Sequence, residues 1–521
     1  MTKSLRITSI TLLVLLGLGI VGYFVAEALI TSKLENFFNT KLPETIRVDY
    51  KSIDVNILRG SVVMVQPKIL NKSGRTKANV KIELDSLMVD GFGYWNYLIN
   101  NRIHVESVQL RRPKVHYNHD AVVHENYHKN SNLDLLKQEI KVDQFNIQNG
   151  TLSIRDIETD STMLYTKAVT VNIMGIVLDG ASVKNHIPFK YGDYSISFNG
   201  LFYNMGDYER LTINSAQISP DKAQFDTLKI FTKYSKAKLN QIISTERDHF
   251  DVTIPSLVME HQKFGYGKDS LFYFNSPKVI LQDPEMYIYR NKLIRDDLTH
   301  KHLYSKILRD IKFDLTLSEV ILKNATIVYS EKVNADMQAG KLSFTNMNAN
   351  IKNISNTYGA DQKTSLNIDA VFMAKTPIKV LWEFDVNDVN DAFVFKTEIG
   401  KLPSPDLNPF SQPNLKVRFE GELLQTYVTI SGNNTTSHVN MRTNYEDFKV
   451  VILDKEGEKK NKVLSAIVNL FIKKNSDTAE DGFRESSKDS IERDKTKSVF
   501  NFLWLNLKAG LVSVMTGNGK Q

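Results

Sequence analysis

The stretch VESVQLRRPKVHY, residues 105–117, decides how this chain is read. With Val105 counted as zero, apolar residues fall at offsets 0, 3, 5, 10 and 12, and offset 8 holds Pro113. VDQFNIQNGTLSI (142–154) and LSEVILKNATIVY (317–329) repeat the pattern, with Gly150 and Ala325 at offset 8. SPKVILQDPEMYI (276–288) fits from offset 3 onward, with Pro284 at offset 8. Side chains of a strand alternate between its two faces, so one straight strand cannot carry its apolar set from odd to even positions. A turn or bulge must lie at offsets 6–9, where Pro, Asn-Gly and Asp-Pro supply it. Each copy therefore predicts strand, corner, strand, both strands showing one interior their apolar side. The spacing of the copies is irregular, which excludes a solenoid of fixed period.

Outward from these copies, residues 46–450 mostly alternate, as in I-R-V-D-Y (46–50), V-K-I-E-L (80–84) and L-K-V-R-F (415–419). Helical patterns are short: 205–211, 235–243 and 296–309. The expected fold is mostly β, a long antiparallel sheet with short helices at the C-terminus. Ordinary β-sandwich domains would show the same alternation.

Before the strands, Lys3 and Arg6 precede twenty residues without a charge, 7–26, ended by Glu27. A helix of that length rises about 30 Å, enough to cross a bilayer core, and the preceding cations place the body on the exported side. Residues 1–30 are thus a candidate anchor, with Ile7, Leu12, Leu16, Ile20 and Phe24 along it. A cleaved signal peptide is the competing reading, since Ala26-Glu27-Ala28 resembles a cleavage site. Residues 31–45 follow as an amphipathic connector ended at Pro43. The β region divides on this reading into 46–310 and 311–455. In 456–521, two apolar stretches (461–473 and 499–515) flank a charged segment, 474–498, that reads as a disordered linker. The apolar stretches are candidates for capping the sheet, packing as core, or lying on a membrane.

The chain's 521 residues include 42% hydrophobic and 24% charged residues and no cysteine. That removes thiolate catalysis, disulfides and cysteine-ligated zinc. The net charge of +7 is spread over 125 charged residues, and no nucleic-acid-binding pattern accompanies it. No Walker sequence, G-x-S-x-G or G-x-G-x-x-G occurs. Asp385–Asp391 lacks the glycine of a calcium loop. One catalytic signature does match: His124, Glu125 and His128 form H-E-x-x-H, and five of the 11 histidines lie between 104 and 128. Zinc would need a helix there, whereas the flanking sequence reads as a loop, with a strand before it and H-K-N-S-N after it. The residues point to no catalytic group, resident metal or cofactor, with a zinc peptidase kept as a remote alternative.

The unit V-E-S-V-Q-L-R-R-P-K-V-H-Y also resembles the characteristic strand phrase of the AsmA-like family of Gram-negative envelope proteins. IDVNILRGSVVMVQPKI (53–69) resembles the family's entry to its first hairpins, and 84–110 the element before the phrase. Residues 376–434 resemble its late domain, and SVFNFLWLNLKAGLVSVMTG (498–517) the closing helix of Bacteroidetes-type members. The resemblance implies an inner-membrane anchor, a periplasmic body, and kinship with chorein-type bridge proteins whose sheet curls into an apolar groove for phospholipid. It implies a non-enzymatic role in outer-membrane lipid homeostasis or assembly, with phospholipid and envelope proteins as partners. Val108, Leu110, Val115, Phe145, Ile147, Leu152, Ile154, Val279, Leu281, Val320, Leu322 and Ile327 are the candidates for the lipid-facing surface. A periplasmic scaffold without lipid cargo is the alternative.

Overall fold

The computed structural model describes residues 27–36, 45–71, 80–119, 138–182, 185–359, 362–373, 375–454 and 482–516, with a few residues between them. The chain is mostly β with a few helices. It divides into two compact units, residues 1–204 with 213–220 and residues 205–212 with 221–521. The boundary expected at 310/311 therefore falls inside the second unit.

The first unit opens with a helical stretch, α1, over residues 27–36. Eight short strands follow as four bent pairs. These are β1 (Ile46–Asp49) with β2 (Ser52–Asn56), β3 (Ser61–Val65) with β4 (Lys68–Asn71), β5 (Val80–Glu83) with β6 (Ser86–Phe92), and β7 (Ile103–Arg111) with β8 (Lys114–His119). A short helix, α2 (Tyr94–Asn100), interrupts them. The apolar run Y-W-N-Y-L-I has neither strand nor helix period, and this element was not expected. Three long strands follow, β9 (Ile140–Asp156), β10 (Thr162–Leu178) and β11 (Tyr194–Met205), the last ending one residue into the second unit.

The corners lie where the parity switch demands. Offset 7 is in the left-handed region in all four copies: Arg112 (φ 46°), Asn149 (54°), Asp283 (49°) and Asn324 (54°). Two stretches missed from the sequence bend the same way, at Gln66 (51°), before Pro67, and at His261 (47°). One extra residue in the left-handed conformation makes a bulge, which shifts the parity and bends the strand. Neighbouring bends are joined through the backbone: Gln66 N donates to Asp85 O (2.8 Å), Asp85 N to Arg111 O (3.0 Å), and Arg112 N to Gln148 O (2.8 Å). Offset 8 lies inside the bend, where a Cβ on Gly150 would sit 3.2 Å from the Pro113 ring. A left-handed β-branched residue is strained, so Asn324→Val is expected to lower stability by about 1–2 kcal/mol and Asn324→Gly to stay within about 0.5 kcal/mol of wild type. Thermal denaturation compares them, and equal losses would mean that left-handed geometry is not what the position needs.

The sheet is mixed rather than antiparallel. β7 and β8 both run parallel to β9, and the same construction recurs in the second unit. There β16 (Phe272–Gln282) and β17 (Glu285–Asn291) run parallel to β18 (Asp314–Lys332). The repeat copies thus lie side by side, first on second and third on fourth, which requires the chain to cross over between them. Even the corner bonds match: Thr151 N to Pro113 O (2.7 Å) and Thr326 N to Pro284 O (2.8 Å).

The second unit begins within a hairpin whose returning strand, β12 (Glu209–Ile218), divides between the units. The helix expected at 205–211 is instead this turn, with Gly206 at φ 83°. The unit continues with β13 (Lys222–Thr232), α3 (Lys236–Ile242), β14 (Asp248–Glu260) and β15 (Lys263–Tyr266). The crossover after β17 contains α4 (Tyr304–Arg309), the only helical part of 296–309. Past β18 come β19 (Gly340–Ser355), β20 (Thr364–Phe372), β21 (Thr376–Phe384), β22 (Phe393–Ile399), β23 (Leu402–Pro403), α5 (Asn408–Leu415), β24 (Val417–Gly432) and β25 (Thr436–Ile452). The segment 474–498, expected to be a disordered linker, contains a strand, β26 (Arg484–Glu492), antiparallel to β25. Its R-E-S-S-K-D-S-I-E sequence lacks apolar alternation, because its inward positions are Arg484 and Ser486. The last helix is α6 (Val499–Thr516). Ile7, Leu12, Leu16, Ile20 and Phe24 lie outside the described residues, as does 461–473 apart from Ser465.

Candidate functional site

Strand register places the candidate apolar residues opposite one another. In the first unit Val108 lies beside Phe145, Leu110 beside Ile147, and Val115 beside Leu152. Ile154 pairs with Tyr117. Cross-strand partners share a face, so these pairs belong to rows running across the sheet. One row reads Val55, Val62, Val89, Val108, Phe145, Ile173, Tyr194. Two residues along the strands, a second reads Ile53, Met64, Leu87, Leu110, Ile147, Val171, Ile196. Beyond the corners a third reads Val48, Ile69, Ile82, Val115, Leu152 and ends at Thr166. A fourth reads Val80, Tyr117, Ile154, Leu164, Tyr203.

The corners keep these rows on one side. Val48, before its bend, packs in one cluster with Ile53, Val55 and Met64, after it. In the second unit Leu322 and Ile327, on either side of Asn324, pack with Ala325, Met347 and Ala370.

Burial separates the two units past the first unit's first strands, where Ile53, Val55 and Met64 are buried. In the first, Val108, Leu110, Val115, Phe145, Ile147, Leu152 and Ile154 are all half-buried. Among the described residues, no buried apolar cluster forms over them. The offset-0 residues Val105 (6% exposed) and Val142 (9%) are buried, but parity puts them on the opposite face.

In the second unit the corresponding row reads Ala223, Met259, Val279, Val320, Ile351, Leu366, Trp382, Phe395, Ile430, Val439. Its far end is sealed, with Ile430 and Val439 fully buried. Two helices contribute to the seal. Leu303, at the start of α4, is buried with Trp382, and the Tyr304 ring lies 5.4 Å from that indole. Phe502, Leu503 and Val514 of α6 fill the same cluster. Val279 and Val320 are themselves buried, so they line protein interior rather than an accessible surface. Leu281, Leu322 and Ile327 stay half-buried.

Ionic groups flank the second unit's rows. Arg290 Nε and Nη2 donate to Asp248 Oδ1 and Oδ2, both at 2.6 Å. Burial opposes the charge of Arg290, but the paired carboxylate more than offsets this and raises its pKa. Burial also pushes the Tyr329 phenol up, and the neighbouring Glu331 carboxylate adds to it.

His124, Glu125 and His128 lie outside the described residues. Of the other clustered histidines, His104 pairs through Nε2 with Asp143 (2.8 Å), while His116 and His119 stand on opposite faces of β8. No group of three or more His, Asp or Glu side chains that could hold a metal occurs among the described residues. No family model and no curated protein matches the chain.

Proposed function

We propose that the chain is a membrane-anchored periplasmic protein that handles phospholipid along the apolar face of its first unit, without catalysis. The observation that supports this is the four-row apolar ladder, up to seven strands wide, which past the buried Ile53, Val55 and Met64 at its first strands is mostly only half-buried by the protein's own side chains. Acyl chains in water cost about 0.8 kcal/mol per exposed CH₂, and a continuous apolar face lowers that cost at every position along it. A sheet curled into an open groove would shield two tails while leaving the head group wet. Residues 7–26 would hold the body at the inner membrane, and the role served would be lipid homeostasis or assembly of the outer membrane. The resemblance to AsmA-like proteins points the same way.

A scaffold without cargo is favoured by a different observation, the filled core under α4 and α6. Mass spectrometry of gently purified full-length protein separates the readings. Phospholipid is expected to accompany the wild type, and Ile147→Asp/Leu152→Asp to retain at least about tenfold less, because a carboxylate against acyl chains costs more than about 1.4 kcal/mol. Phospholipid no higher than in a similarly purified unrelated membrane protein would leave the scaffold.

A further inference from the structure

The first unit exposes a second apolar surface that the ladder does not use. The turn between β2 and β3 carries Leu58, 87% exposed. Beside it, α2 has no buried residue, and Trp95 (75%), Leu98 (72%) and Ile99 (63%) stand in solvent. The two elements form one surface, since Tyr94 Oη donates to Ile57 O at 3.0 Å. The Phe92 ring supports the helix from below, 5.2 Å from Tyr94 and 5.9 Å from Tyr97. A seven-residue helix does not persist in water on propensity, and this one presents large apolar side chains outward.

The neighbouring chain indicates what covers it. Ile57, next to Leu58, packs on the cluster of Ile53, Val55 and Met64, which also receives Ile30 and Leu34 of α1. Ile30 is four residues past the end of the uncharged 7–26 run, about 6 Å of helix rise. The exit of that run is therefore tied to the hairpin that bears the patch. The composition is interfacial: a tryptophan and two tyrosines among leucine and isoleucine sit where head groups meet acyl chains. Arg59 and Arg102, 68% and 63% exposed, flank the patch, each near one carboxylate, Asp90 or Glu139.

We propose that Leu58 and α2 form a foot that inserts into the interface of the bilayer holding residues 7–26. This rests on the reading of 7–26 as an anchor. It adds a consequence for lipid handling. Val55 and Val62, where the first apolar row begins, stand two or three residues from the turn, so an inserted foot sets the start of the ladder at the membrane surface.

The test uses the full chain in vesicles of phosphatidylethanolamine and phosphatidylglycerol. The chain has three tryptophans, and Trp382→Phe/Trp504→Phe isolates Trp95. If that variant folds poorly, the difference between wild type and Trp95→Phe carries the same signal. Trp95 is expected to emit to the blue, to be quenched by lipids brominated on the acyl chain, and to resist iodide. Leu58→Asp/Leu98→Asp should restore iodide access while the protein stays in the vesicles. Trp95 open to iodide and untouched by brominated lipid overturns the foot. Protection that grows with protein density without bromolipid quenching means a second copy covers the patch, and overturns it too. Release of the whole chain by alkaline carbonate would instead show failure of the anchor.

Discussion

Phe502→Ala is expected to destabilise the second unit by about 3–5 kcal/mol, the range for emptying a fully buried phenylalanine site. Phe502 is 1% exposed, and its ring centroid lies 6.2 Å from that of Phe393. The site has little room to collapse, because α6 is fixed to the sheet just beyond it, four and eight residues along the helix. Ser437 Oγ donates to the buried Asn506 Oδ1 at 2.8 Å, and Ser486 Oγ to Gly510 O at 3.0 Å. A Cβ on Gly510 would stand 3.1 Å from Met441 Cε, so helix and strand nearly touch there. The melting temperature should fall by about 5–15 °C, while Phe502→Leu should cost less than about 1.5 kcal/mol. By length and composition α6 could also cross a membrane. In a bilayer the Phe502 side chain would face lipid or solvent, so a loss below about 1 kcal/mol for Phe502→Ala would reject the packed position.

Asp391→Ala is expected to cost about 2–4 kcal/mol, because it strands the cation of a buried pair. Asp391 is 1% exposed and accepts from Ser305 Oγ (2.9 Å) and Arg309 Nη2 (2.8 Å). The 26% exposure of the Arg309 side chain softens the loss relative to a fully buried pair. Ser305 and Arg309 belong to α4, and Arg309 Nη1 also donates to Val386 O (2.5 Å) and Asp388 O (3.0 Å). The crossover is strapped again farther out, where Lys301 N donates to Lys495 O (2.8 Å) and Arg493 Nη2 to Lys301 O. Releasing α4 should uncover Trp382, so its emission should move to the red along with the lowered melting point. Asp391→Asn retains an acceptor and should lose about half as much. An unchanged melting point for Asp391→Ala would show that α4 is held by its apolar side chains alone.

The corner was legible in the sequence to within four residues, offsets 6–9, though not which of them takes the left-handed conformation. Parity can switch only where an extra residue enters, and Pro113, Asn149-Gly150, Asp283-Pro284 and Asn324 mark the place with groups suited to a bend. The copy at 254–266 was missed because Gln262 stands where the others carry proline, glycine or alanine. Strand β26 was missed for a related reason: its inward side chains are Arg484 and Ser486, so it is held by the backbone of β25 and the cover of α6, neither of which marks its own composition. The four rows were legible as single residues but not as rows, since register is a relation between strands.

The local pattern of this chain belongs to residues within about a dozen positions of one another: strand periodicity, bends and the identity of the apolar side. Those terms depend on backbone sterics and on which neighbouring side chains can share a face, and the chain carries them wherever it is placed. Whether copies pair parallel or antiparallel, and whether their apolar side is filled, are set between residues far apart. The alternation of 142–154 and 317–329 is the same, yet Val320 is buried while Phe145 and Ile147 keep part of their surface. Burial depends on the density of atoms brought in from elsewhere, as α4 and α6 supply for Trp382 and Ile430 at the far end of the second unit's row, and no stretch of strand encodes what will come to lie on it.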